Sequence, residues 1–210
     1  MEKINWVILG AGEFGREIYN IFFKNSKKKL KYFVDDDKTK KNLFRKKVIR
    51  FENLFKLNNK FNFVLAIFNQ HTRKKKIIEL SKYKNLIPEN LIHEDVYSYN
   101  NKVGKGNILY PNSNINYGAK LGNYNVLQFN SSVGHNVKIK DNCFIGSNST
   151  ISSNCTLHKN IFIGSNSNIA KNIKISSEVY ISPSSYIYKN IKKNTKVTSL
   201  PRLILQKFKI

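Results

Sequence analysis

Residues 127–156 fall into five lines of six: LQFNSS, VGHNVK, IKDNCF, IGSNST and ISSNCT. An aliphatic residue opens each line, Asn stands fourth and a slim side chain stands fifth. Extended both ways, the aliphatic column runs unbroken through Val103, Leu109, Ile115, Leu121, Leu127, Val133, Ile139, Ile145, Ile151, Leu157, Ile163, Ile169, Ile175, Ile181 and Ile187. A helix repeats about every 3.6 residues and an amphipathic strand every second residue, so neither sustains a period of six. A hexapeptide repeat does: each unit is a short strand and a turn, and three units close one triangular coil of a parallel β-helix. The fourth position is Asn in ten of the fifteen units, and Asn tolerates the left-handed backbone of a tight corner better than other non-glycine residues. The fifth holds Ser113, Ala119, Ser131, Val137, Cys143, Ser149, Cys155 and Ser167, small enough for the inside of that corner.

Ahead of the repeats the pattern changes. Trp6-Val7-Ile8-Leu9 is an apolar run of buried-strand type, Gly10-Ala11-Gly12-Glu13-Phe14-Gly15 follows, and Ile18, Ile21 and Phe22 then recur at helical spacing. Tyr32-Phe33-Val34 predicts a second strand ending in Asp35-Asp36-Asp37. Residues 63–67 predict a third, ending at Phe68-Asn69-Gln70, with a Lys-rich helix to about Lys82. This β-α-β order predicts a small parallel sheet. The expected division is a Rossmann-like α/β domain over residues 1–90 and a β-helix with a C-terminal tail over 91–210. The coils are expected to run to about residue 190, and the tail from Lys192, where the period is lost, to pack back as a strand or short helix.

The glycine motif has dinucleotide-binding spacing, with acidic residues about twenty positions later. Glycines let a backbone approach an anion, and a helix N-terminus supplies unpaired N–H groups. About 85 residues precede the repeats, room for one mononucleotide-binding half, so a single nucleotide moiety fits better than NAD.

Composition narrows the classes. No stretch approaches the roughly 18 apolar residues of a membrane span, and residues 1–10 lack a secretory pattern, which makes cytoplasm the expected compartment. Lys and Arg number 37 against 13 Asp and Glu, a net charge of +24. The lysines are spread along the chain beside heavy Asn and Ile use, which argues against nucleic acid as the partner, although a positive field favours anionic substrates. Cys143 and Cys155 share the slim column and read as reduced core thiols. Among the histidines, His71, His93 and His158 read as surface or corner residues; His135 lies on a turn of the coil, between Gly134 and Asn136.

Gly10-Ala11-Gly12-x-x-Gly15, Phe33-Val34-Asp35-Asp36-Asp37, Ala66-Ile67-Phe68-Asn69 with Arg73-Lys74-Lys75, and Ser131-Ser132-Val133-Gly134-His135-Asn136 occur in that order. Together they resemble the NeuD/PglD group of bacterial sugar acyltransferases over nearly the whole chain. The resemblance implies a left-handed β-helix and a homotrimer with active sites between neighbouring coils. It implies acetyl transfer from acetyl-CoA to an amino or hydroxyl group of a nucleotide-linked sugar, without a metal, in surface glycan or polysaccharide synthesis. It puts the catalytic base on His135, followed by Asn136 where the family usually has Asp or Glu. Gly12, Glu13, Phe14, Asp35, Asp36 and Asn69 fall on the sugar-nucleotide side. Phe144, Ser153, Ser165 and Pro183 fall on the coenzyme A side, with Phe144 in place of a second family His and Ser153 in place of a frequent Gly.

The chemistry is consistent with these residues. An amine or hydroxyl attacking a thioester must lose a proton, and a neutral imidazole is suited to take it near pH 7. The Asn136 carbonyl could orient that ring by a hydrogen bond but adds no charge. Backbone N–H groups of the coil could hold the oxyanion. Competing readings are a sialic acid or polysaccharide O-acetyltransferase, an NAD-linked oxidoreductase that leaves the repeats unexplained, and a zinc enzyme, which would need three converging His. A non-enzymatic β-helix binding protein, degenerate at Asn136 and Phe144, completes the set.

Overall fold

The computed structural model describes residues 4–99 and 101–198. The first part is built from β1 (Asn5–Leu9), α1 (Glu13–Phe22), β2 (Leu30–Val34), β3 (Asn42–Leu43), β4 (Lys46–Ile49), α2 (Phe51–Phe55), β5 (Phe61–Leu65), α3 (Gln70–Leu80) and β6 (Leu86–Pro88). The strands form one sheet in the order β3-β4-β2-β1-β5-β6, parallel except for the β3–β4 hairpin. Val7 to Leu9 are buried on both faces of the central strand, as a parallel sheet between layers requires. The β3–β4 hairpin, α2 and β6 carry no signal in the sequence. The hairpin turns on Phe44 and Arg45, at φ 48° and 59°, where Asn-Gly would be the usual pair.

The second part is a left-handed parallel β-helix. Among the described residues its eighteen strands, most of two residues, form three sheets of seven, six and five strands. The inward aliphatic column stacks into one continuous core from Leu109 to Ile187; full burial of one such side chain is worth roughly 1.5–3 kcal/mol. The corner Asn residues from Asn112 to Asn172 sit at φ between 55° and 65°, the left-handed backbone expected of them. Cys143 and Cys155 are free and buried in the same core.

The tail reading needs correction. Ile191 bridges to Ile175, and Lys196–Val197 pairs in parallel with Tyr180–Ile181. The coil therefore continues past 190, because the corner at Asn194 (φ 59°) still makes the turn although the aliphatic spacing has slipped. The remainder of that tail, 199–210, lies outside the described residues.

The outward columns of the three faces differ sharply. The first face presents Leu91, Ile108, Val126, Phe144, Phe162 and Tyr180 in register, and its first five residues are buried. They share a hydrophobic cluster with Trp6, Ile8, Ile18 and Phe22, so the first domain sits on this face. The second face presents Tyr97, Asn114, Ser132, Thr150, Asn168 and Tyr186. The third presents Lys102, Lys120, Lys138, Thr156 and Lys174.

Candidate functional site

Three glycines shape the loop after β1, for different reasons. Gly10 has φ +120°, and a Cβ there would strike the Ala66 carbonyl; a Cβ on Gly15 would strike the Gly10 carbonyl. Both are demanded by packing of loop, helix and β5. Gly12 has φ −83° and nothing within 4 Å of where its Cβ would be. It is the N-cap of α1, with no side chain capping the first turn. Those amides open onto a cavity of about 650 Å³ lined by Gly12, Glu13, Phe14, Arg16, Glu17, Asn20, Ala66, Phe68 and Gln128. Gln128 belongs to the corner between the first and second faces, so the coil closes one side of this cavity. Glu13 is turned to Arg16 at 3.6 Å.

The aspartates at the end of β2 are engaged by the protein itself. Asp35 Oδ2 accepts from the Ala11 N–H at 2.8 Å and from Lys40 Nζ at 3.0 Å, which ties β2 to the glycine loop. Burial opposes its ionised form, but these bonds and the Asp37 N–H outweigh it and hold the carboxyl below its ordinary value. Asp36 Oδ1 accepts from the Phe51 N–H at 3.3 Å at the start of α2, and Lys76 lies 3.7 Å away. Asn69 caps α3 by accepting from the Thr72 N–H at 2.9 Å. A second cavity, of about 660 Å³, adjoins Asp35 and carries Lys38, Lys40, Lys41, Lys47 and Arg50.

The first turns of α3 lock the two parts together. Arg73 is 1% exposed, and donates to Asn142 Oδ1 at 2.9 Å, the Leu65 carbonyl at 2.5 Å and the Tyr124 carbonyl at 2.9 Å. Burial without a facing carboxylate pulls its pKa down to about 10. Gln70 donates to the Asn142 carbonyl at 2.6 Å, and Lys74 pairs with Glu178 at 2.7 Å. Asn142, Asn160 and Glu178 are linked in turn, at 2.9 and 2.8 Å, along the corner between the third and first faces.

His135 is exposed on the corner between the second and third faces, and its ring makes no hydrogen bond among the described residues. The Asn136 amide donates to Asn154 Oδ1 at 3.4 Å, within the corner ladder, so it does not orient the imidazole here. His158 is half-buried at the start of the corner between the third and first faces, and His93 Nδ1 lies 3.3 Å from Asp95. No group of three or more His, Cys, Asp or Glu among the described residues is arranged to hold a metal ion. Burial pushes the Cys143 thiol up to about 12, which makes it a poor nucleophile.

Residues 5–80 match the PglD N-terminal domain, and residues 118–153 match the six-repeat bacterial transferase hexapeptide. The chain is NeuD/PglD-like. Its fold is shared with a perosamine N-acetyltransferase from Caulobacter crescentus, solved as a histidine-to-asparagine variant with CoA and GDP-perosamine. That likeness is 16% identical, with a TM-score of 0.83, and covers 91% of this chain and 92% of that one. The acetyltransferase domain of PglB from Neisseria gonorrhoeae, with acetyl coenzyme A, is 17% identical with a TM-score of 0.81, covering 93% and 96%. WeeI from Acinetobacter baumannii is 20% identical with a TM-score of 0.75, covering 96% and 100%. No curated protein matches the sequence.

In this NeuD/PglD-like chain the expected cofactor positions separate. Ser153 stands one coil beyond His135 on the same corner, where the Asn154 N–H donates to the His135 carbonyl at 2.9 Å. Ser165 and Pro183 stand on the corner between the first and second faces, at the opposite edge of the second face. Phe144 is on neither corner. It is 3% exposed, stacked on Phe162 at 5.1 Å and edge-on to Phe14 and Phe68, a burial that places it under the first domain and leaves little surface for a cofactor. Reading from the sequence overlooked Glu17, Asn20, Phe68 and Gln128. Glu17 and Asn20 were within reach of it, because they share the Glu13 face of a helix at i+4 and i+7.

Proposed function

We propose that this chain is an acetyl-CoA-dependent acetyltransferase acting on an amino, or alternatively a hydroxyl, group of a nucleotide-linked sugar in surface glycan synthesis. One observation carries the reading. The cavity beside Gly12 opens at one edge of the second face, and His135 and Ser153 stand at the other edge. A single chain cannot bring them together, whereas a second copy rotated about an axis parallel to the coil can. The second face suits that packing, since its outward Asn114, Ser132, Thr150 and Asn168 are short and uncharged in a chain of net charge +24. We therefore read the assembly as a homotrimer whose sites each combine the cavity of one copy with the His135 corner of the next.

In this mechanism the phosphates of the sugar nucleotide lie against the uncapped amides at Gly12. Asp35 and Asp36 support the site through the loop and α2. The acceptor nitrogen attacks the thioester carbonyl, His135 takes its proton, and the thiolate leaves as the tetrahedral intermediate collapses. Passing that proton to the sulfur releases free coenzyme A and restores neutral His135. The similar structures solved with CoA, acetyl coenzyme A and GDP-perosamine support this choice of substrates. The test is incubation with acetyl-CoA and a panel of UDP-, GDP- and dTDP-linked amino sugars, monitoring free thiol. Thiol release that depends on one of these sugars is the expected result, and none across the panel would refute the reading.

A further inference from the structure

In a chain so rich in cations, almost every carboxylate that is not fully exposed has one. Asp35, Glu79, Asp141 and Glu178 are paired with Lys40, Lys76, Lys159 and Lys74. Glu17 is the exception among the described residues. It is half-buried, has no ion pair, and its Oε1 is closed off from solvent without a hydrogen-bond partner. The same holds for the Oη of Tyr110, a side chain 0% exposed and held edge-on by Phe22 at 5.6 Å and Phe129 at 4.8 Å. The two belong together: burial first, then the neighbouring Glu17, pushes the Tyr110 phenol well above its ordinary value. Arg16, the nearest cation in sequence, is turned to Glu13.

Position supplies the ligand chemistry. Glu17 lines the cavity with Gly12 and Phe68, and five residues of helix separate it from Gly12, about 7.5 Å along the axis. A phosphate at the amides of Gly12 would repel a second anion at Glu17, so Glu17 takes neutral donors instead. The group one linkage beyond that phosphate is the sugar ring, and Phe14 and Phe68 offer aromatic surface to its carbon face.

We propose that Glu17, oriented by the Tyr110 hydroxyl, recognises the acceptor sugar by accepting hydrogen bonds from adjacent ring hydroxyls. This inference rests on the nucleotide-sugar reading above and adds the residue that reads the sugar. With ligand bound, the Tyr110 O–H donates to one carboxylate oxygen and the sugar hydroxyls donate to the other.

The test is calorimetric, on the full chain, and does not require turnover. Wild type, Glu17→Gln and Tyr110→Phe are titrated with the tightest-binding of the UDP-, GDP- and dTDP-linked amino sugars, with its free nucleoside diphosphate, and with acetyl-CoA. Glu17→Gln should weaken the sugar nucleotide roughly 10- to 100-fold, the range of a hydrogen bond to a charged group, and leave the other two ligands within about twofold. Tyr110→Phe should show the same selectivity with a smaller loss. Unchanged sugar-nucleotide affinity in Glu17→Gln, or equal loss for the free diphosphate, would overturn the proposal. Selective weakening by Glu17→Gln in a wild type that releases no thiol would uphold it while sinking the transferase reading.

Discussion

The first and second faces of the β-helix share one core and one corner chemistry, yet their outward columns have opposite fates. On the first, Phe144 and Phe162 are 3% and 9% exposed because the first domain covers them. On the second, no strand or helix among the described residues packs over Ser132, Thr150 and Asn168, and no charged residue joins them in register. The inward residues build the prism; the outward ones choose what lies against each side. The third face has four lysines in its five outward positions, the cationic surface that this composition leads one to expect. The outward column of the second face is thus neutral in a chain whose net charge is +24.

The largest effect should come from breaking the second face. Thr150→Arg puts a cation at the centre of the neutral column, where each copy would oppose it with another. We expect a monomer by light scattering at micromolar concentration and loss of nearly all transfer, with folded stability within about 0.5 kcal/mol of wild type. A trimer with full activity would show that the copies meet elsewhere.

At the edge of that face, His135→Ala should lower kcat roughly 10²–10⁴-fold, the contribution of one general base, with both substrates still bound. His158→Ala, at the corner between the third and first faces, should leave kcat nearly unchanged. Normal turnover without His135 would remove the base from the mechanism.

The first face should answer in stability instead. Phe144→Ala removes a stacked ring from beneath the first domain, and we expect a loss of about 3–5 kcal/mol in denaturant unfolding with the oligomeric state unchanged from wild type. A loss confined to acetyl-CoA affinity would instead restore Phe144 to the cofactor site. Smallest of all, Lys120→Ser on the third face should change stability by less than about 0.5 kcal/mol and leave assembly intact; a change in oligomeric state would mean that this face also docks.

Legibility in the sequence followed the physics of each region. The coil was legible because each of its residues faces only in or out, and the period of six repeats that choice along the axis. The short elements of the first domain were not, because two strands and a helix of two to five residues are too brief for any period to show. His135 stood out as a lone titratable side chain on a turn, and the glycine motif by its spacing. Asn69 and Asn136 also serve as a helix cap and a corner residue, because Asn suits both, and a local signal cannot separate those uses from binding. Asp36 took a capping role for a similar reason.

By itself, then, the sequence determined the β-helix, its corners and the parallel sheet ahead of it, since these rest on local backbone preference and on periodic burial. Only the tertiary structure decided which face is covered, that Arg73 fastens the first domain to the corner at Asn142, and that Glu17 meets Tyr110 without a cation. Those outcomes join residues 69 and 93 positions apart, and no periodic signal records the distance between surfaces that only packing brings together.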